Sequence, residues 1–487
     1  MKKYLIPILL TISQLSYSQQ ECRCATNFEL IFQKVRDNYA GWGDKVTTKT
    51  QASFDKITAD TRDKVVDIKN EKECYKAIND WISFFKDGHV FIGTVAPYSE
   101  DVSAAEIEKR AAKLQQLPYS NEAAFMQYLN MNPTKLKSVE GIWESDDKGY
   151  RLGIVRDKNN ENKFSAFLLS DRDSRWKAGK TKFEMTQVAP NRYTTTYYYA
   201  DFSGEKCLTR EVKDFLVLEN IYKFQKVYPK PAETASTVEI QQKIADYRVE
   251  KLDDETALIV LPPFTMSNAY ELVADLVSKN LEILGTTPNL IIDIRNNPGG
   301  DDFSYVPLFP FIYTNPIVRQ SGFFRASEEN IISIAHELEV IQSIPIYQER
   351  LVPKLQPILR DMQSNIGRFI KGPDKEFTYG VVMNTPKKVA ILANRNTAST
   401  AENMIFEAKQ SKKVTFFGEN TKGLADYTDV RDWALPCYGW RIAFALAKSP
   451  RLPNNPIDNV GIKPDVKIPD ETADWVEFTR QYLKKSN

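Results

Sequence analysis

Hydroxyl-bearing residues at the start of a helix are the first place in this chain where chemistry could be done. In "ANRNTASTAENMIFEAK", residues 393–409, an apolar strand runs into Thr397, Ala398, Ser399 and Thr400, and a helix-forming stretch follows. A serine at such a junction lies at the positive end of a helix dipole, where developing negative charge is stabilised. A second stretch, "DIRNNPGGDD" at residues 293–302, ends another apolar strand, and Pro298, Gly299 and Gly300 make a turn whose backbone N–H groups carry no side-chain cover. Donors of that kind can receive an oxyanion. Each stretch alone is ordinary, because Asn-Pro-Gly-Gly makes a turn and a serine ahead of a helix makes an N-cap. Following two strands of one sheet, they read together as a nucleophile, Ser399, and the donors for the charge it creates.

Such residues need a strand–loop–helix frame, and the C-terminal half provides it. "TALIVLPPF", "PNLIIDIRNNPGG", "KKVAILAN" and "VTFFG" read as buried strands, and "NAYELVADLVSKNLEILG" as an amphipathic helix between the first two. That alternation predicts a parallel α/β core, with its site in loops at the carboxyl ends of strands. A helical excursion near 320–378 interrupts it. Earlier segments differ in character. "NFELIFQKVRDNYAGW" and "ECYKAINDWISFF" repeat apolar residues at helical spacing, whereas 136–228 is a series of short β-rich runs separated by Asp, Asn, Gly and Lys turns. The expected fold class is multidomain α/β: an N-terminal helical domain at 19–135, an all-β barrel or sandwich at 136–228, and a C-terminal α/β domain at 229–487, entered through the linker "YPKPAETAS".

Composition limits the partners. The chain has 487 residues and 42% apolar content, and 65 Lys plus Arg against 64 Asp plus Glu leave no field to gather nucleic acid or an anionic membrane. "MKKYLIPILLTISQLSYSQQ" has the form of a signal peptide, expected to end near Ser18, and no later run approaches a membrane span. Export to a periplasm or beyond the cell is therefore expected. Cysteines 22, 24, 74, 207 and 437 suit an oxidising compartment, and a disulfide from the N-terminal pair to Cys74 is favoured over zinc, since the chain has only two histidines. No nucleotide motif and no metal set is present, so no cofactor is expected.

"LIIDIRNNPGG", then "VAILANRNTASTAENMIFEA", then "FFGENTKG" resemble, in order, the peptidase domain of the tail-specific (carboxyl-terminal processing) serine proteases, over roughly residues 240–470. The resemblance implies a serine-type peptidase working through an acyl-enzyme on peptide or protein substrates. It makes Ser399 the nucleophile and Glu402 the matching glutamate, with Gly299, Gly300 and the Thr400 N–H as oxyanion donors. The family's dyad lysine would fall at Leu424, so that base is missing; Lys422, two places earlier, is a substitute. The tricorn-core-like branch instead uses a histidine after a small helix, and "FFKDGHVFIG" places His89 there. An imidazole can take the serine proton near neutral pH and return it to the leaving amine. In "NPIDNVGIKPDVKIP" the branch's acid falls on Asp458, expected to steady His89, with Asp87 as rival; Gly88 replaces the branch's bridging serine. His336 carries no motif and is read as structural. A non-catalytic member of the fold holding an apolar ligand or a peptide is the alternative.

Overall fold

The computed structural model describes residues 23–94, 103–119, 121–173, 175–219, 221–230 and 238–485. The expected leader at 1–18, Cys22 and most of the linker lie outside them. No described helix is long and apolar enough to cross a membrane. The chain forms two compact units, each assembled from three separate stretches.

The first unit takes its described residues from 23–94, 322–373 and 427–450. Helices Cys24–Asn38, Gln51–Val66 and Glu71–Ile82 carry the predicted helical spacing. They close on an aromatic cluster in which the Trp81 ring lies 5.4 Å from Phe28 and 5.2 Å from Phe85, edge on. Asn70 caps the third helix by accepting from the N–H groups of Lys72 and Glu73. Cys24 and Cys74 join the first and third helices in a disulfide. The excursion after 320 is helical only in part: strands Phe323–Arg325 and Phe369–Lys371 flank helices Glu328–Ile341 and Val352–Gln363. Those strands join Phe91–Gly93, Tyr427–Ala434 and Arg441–Lys448 in one antiparallel sheet.

In the second unit, six strands run in the order Arg248–Lys251, Thr256–Val260, Asn289–Asp293, Lys388–Ala393, Val414–Gly418 and Val466–Lys467. All neighbours pair in parallel except the first two. Every residue of Asn289–Asp293 is buried, as both faces of a parallel sheet demand. Leu290 and Ile292 meet Val273 and Val277 of helix Ala269–Lys279 and Met404 and Ile405 of helix Thr400–Ala408. Ile291 and Leu392, on the other face, meet Val476 and Leu483 of helix Trp475–Lys485.

The β-rich region is a closed eight-stranded barrel from Gly141–Ser145 to Tyr222–Tyr228, each strand antiparallel to the next and the last to the first. Large side chains fill it, among them Trp143, Phe164, Phe183 and Phe224. Beside a register shift, strand Thr181–Ala189 buries three successive residues, Thr181, Lys182 and Phe183. The Lys182 ammonium lies 4.3–4.7 Å from the ring centres of Tyr197, Trp176 and Tyr150 and donates to the Tyr198 carbonyl. Burial, with the charge of Arg172, pushes its pKa down to about 7. Between pH 7 and the unfolded lysine value near 10.4 the unfolded chain therefore holds the extra proton, and stability rises with pH. Ring faces worth roughly 0.5–1 kcal/mol each offset part of a penalty of roughly 4–5 kcal/mol at pH 7. Lys182→Met is expected to be the more stable protein at pH 7, by about 2 kcal/mol, and to lose that advantage toward pH 10. Denaturant titrations of both proteins across that range would show it, and a constant gap would contradict it.

Candidate active site

Ser399 stands where strand Lys388–Ala393 has ended and helix Thr400–Ala408 begins. Its backbone is at φ 54°, ψ −122°, a conformation that suits glycine and costs another residue roughly 1–3 kcal/mol. The surrounding turn holds it there. Thr397 Oγ1 donates to the Ile294 carbonyl at 3.0 Å, and Ala398 N–H donates to the Asn297 carbonyl at 3.0 Å. Ser399 is half-buried, and its N–H donates to Glu402 Oε2 at 2.8 Å. At the far end of the helix Arg319 grips Glu407 bidentately, at 2.7 and 3.0 Å.

The glycine loop is pressed against this turn. A Cβ on Gly299 would lie 2.7 Å from the Thr400 nitrogen and 2.8 Å from Ser399 Cβ; on Gly300 it would lie 2.0 Å from the Phe264 carbonyl oxygen. Only glycine fits, and both residues also have positive φ, 91° and 137°. Thr400 Oγ1 ties the loop down, with the Gly300 carbonyl at 2.7 Å and Asp302 Oδ1 at 2.9 Å. Asn297 organises the other side: its Oδ1 accepts from the N–H groups of Phe264 and Gly299, and its Nδ2 donates to the Pro262 carbonyl. The Gly299 N–H, expected as an oxyanion donor, is thus engaged at 3.1 Å by Asn297. Among the described residues the N–H groups of Gly300 and Thr400 have no partner, so they are the donors the loop offers.

Glu402 is the keystone of the turn. Fully buried, it receives Ser399 N–H, Leu424 N–H, Gly423 N–H and Thr421 Oγ1 at 2.8, 2.8, 2.7 and 2.5 Å. Four donors on two oxygens are what a carboxylate can satisfy. The segment 421–424 is therefore fastened to the Ser399 turn through two backbone N–H groups and the Thr421 hydroxyl. Lys422, inside it, points its side chain into solvent.

His89 belongs to the first unit, in the loop between Glu71–Ile82 and the strand Phe91–Gly93. It is 9% exposed. Its Nδ1 lies 2.7 Å from the Tyr427 carbonyl oxygen, which can only accept, so Nδ1 carries the proton and Nε2 is left with the lone pair. Asp87 fixes the loop: Oδ1 accepts from His89 N–H at 2.8 Å, and Oδ2 accepts from the Tyr39 hydroxyl at 2.7 Å. Asp87 therefore holds the histidine's backbone and not its ring.

Asp458 is expected to steady His89, directly or through another group, and the Nδ1 of that ring is held by the Tyr427 carbonyl. In the second unit Asp458 donates its N–H to Asp426 Oδ2 at 2.8 Å, and Asp426 forms an ion pair with Arg451 at 3.2 Å. His336 is exposed on helix Glu328–Ile341, consistent with no role in chemistry. Sequence reasoning missed Asn297, whose Asx turn ahead of Pro-Gly-Gly is a legible signal. It also missed Tyr427, which acts through its carbonyl and leaves no mark in residue type.

Residues 255–468 match the family model described as Peptidase family S41. No curated protein matches the chain. Among solved structures, mature CPAF is 12% identical with a TM-score of 0.49, over 95% of this chain and 96% of that one. The photosystem II D1 C-terminal processing protease is 14% identical with a TM-score of 0.35, over 93% and 95%. The tricorn protease is 11% identical with a TM-score of 0.38, over 92% of this chain and 34% of that one. At TM-scores below 0.5 these likenesses carry no weight of their own. The matched segment holds the glycine loop, the strained serine and the Glu402 anchor, and it is this segment that is similar to peptidase family S41, the serine-type peptidases.

Proposed function

We propose that this protein is an exported serine peptidase in which Ser399 attacks the scissile carbonyl and His89 Nε2 takes its proton. The tricorn-like placement of His89 and the tautomer set by the Tyr427 carbonyl support the histidine's role. The observation that carries the reading is Ser399 at φ 54° on a helix N-terminus, with Gly299 packed on its Cβ. That arrangement aims a hydroxyl at a peptide approaching the Gly300 and Thr400 N–H groups, which receive the oxyanion. His89 then returns the proton to the leaving amine, and water frees the acyl-enzyme by the same route reversed. Asp458 acts at most through Asp426, the residue before Tyr427 in the chain. The disulfide and the leader-like N-terminus support export.

Intact mass after incubation with a fluorophosphonate tests this. The wild type is expected to gain one adduct at Ser399, His89→Ala to label at least about 100-fold more slowly, and Lys422→Ala to label normally. Loss of labelling in Lys422→Ala with retention in His89→Ala would move the base to the lysine. A folded wild type that never labels would leave a binding protein.

A further inference from the structure

Beside the active-site loops, inside the second unit, lies a cavity of about 940 Å³. Pockets for small ligands run to about 1,000 Å³, so this one is at the top of their range. One wall is the outer face of the barrel. Register across four of its strands sets Ser165, Glu184, Thr196 and Lys206 in one row and Lys163, Thr186, Thr194 and Leu208 in the next. The opposite wall is made by the strand ends of the peptidase sheet, including Asn296, Asn394 and Asn396. Asn296 stands three residues before Gly299, and Asn396 three before Ser399. The three amides bind one another: Asn296 Oδ1 accepts from Asn394 Nδ2 at 2.8 Å and from Asn396 Nδ2 at 2.9 Å. The cavity wall and the Ser399 turn are thus joined by side-chain hydrogen bonds between the two loops.

A face of hydroxyls, amides and charges of both signs is a poor hydrophobic contact and suits neither a polyanion nor a polycation. Hydroxyls and amides donate and accept, as an extended polypeptide backbone requires. Arg210, 7% exposed and lining the same space, has its Nε in an ion pair with Glu219 Oε1 at 3.3 Å and its Nη1 on the Lys243 carbonyl. Burial and the nearby charge of Arg248 push its pKa down, so a ligand carboxylate or carbonyl there would relieve it.

We propose that this cavity is an exosite for an extended segment of the substrate polypeptide, at a distance along the chain from the bond that is cut. The inference rests on the peptidase reading above. It makes unfolded proteins, rather than short peptides, the preferred substrates: the barrel wall holds the chain while the connected loops present it to Ser399. A closed barrel offers no free strand edge, so recognition is through side chains on its outer face.

Two experiments test it. In Ser399→Ala protein, a photoreactive benzoylphenylalanine at position 196 is expected to cross-link β-casein, an unfolded polypeptide, and to do so much less with excess unlabelled casein. In active protein, Thr196→Trp, which fills the cavity, is expected to raise KM for β-casein about tenfold, with the fluorophosphonate labelling rate changed less than twofold. No cross-link, or casein cleavage unaffected by Thr196→Trp, overturns the exosite. Loss of labelling in the wild type would instead overturn the peptidase reading, with the cross-link still reporting on polypeptide binding.

Discussion

Ser399→Gly is expected to abolish turnover and, at the same time, to make the protein more stable. Loss of the nucleophile should lower kcat/KM by about 10⁴-fold or more, since only oxyanion donors and substrate binding remain. Glycine adopts φ 54°, ψ −122° without the clash that a Cβ meets there, and this outweighs the entropy it adds to the unfolded chain. The net gain should be about 1 kcal/mol, a rise in Tm of roughly 2–4 °C for a unit of this size. Ser399→Ala supplies the control: it removes the hydroxyl and keeps the Cβ, so it should be as inactive and no more stable. Calorimetry on the three proteins decides the matter. Equal Tm for glycine and alanine variants would mean that the serine's backbone is not a reservoir of strain.

The largest loss of stability should come from Glu402→Ala. Ser399, Gly423, Leu424 and Thr421 all donate to this carboxylate, and its removal strands four donors, those of Gly423 and Thr421 in buried bonds. Breaking such a set typically costs about 3–5 kcal/mol, here a fall in Tm of roughly 10 °C. Activity should fall further than stability, by about 100-fold at temperatures where the variant is folded, because a displacement of about 1 Å at the nucleophile is enough for that. Glu402→Gln should land between the two, its amide keeping one acceptor oxygen and turning an N–H₂ toward donors. A Glu402→Ala protein with wild-type Tm would show that segment 421–424 does not depend on this anchor.

The chemistry was most legible where residue type and backbone shape coincide. Thr-Ala-Ser-Thr after an apolar strand and Asn-Pro-Gly-Gly after another announce the serine turn and the glycine loop, and both are where local patterning puts them. The barrel was legible as β-rich runs with turn residues, because antiparallel neighbours in a meander are neighbours in sequence. What escaped was non-local or made by backbone. Strand Arg441–Lys448 pairs with Phe91–Gly93 and Phe323–Arg325, each more than a hundred residues away, and no periodicity records such a partner. The tie on His89 is a carbonyl, which every residue owns. The position of the missing dyad lysine, Leu424, has its own backbone use, as its N–H is one of the four on Glu402.

Helix Trp475–Lys485 gives the peptidase sheet its second cover, and that fixes a moment in the protein's life. While the chain is being made, Ser399, the glycine loop and all four donors to Glu402 have left the ribosome well before this helix does. Until Val476 and Leu483 arrive, Ile291 and Leu392 face water, and the strands that aim both catalytic loops have nothing to rest against on that side. A chain that ends before residue 475 is therefore expected to be inactive, since it lacks the helix that covers this face of the sheet.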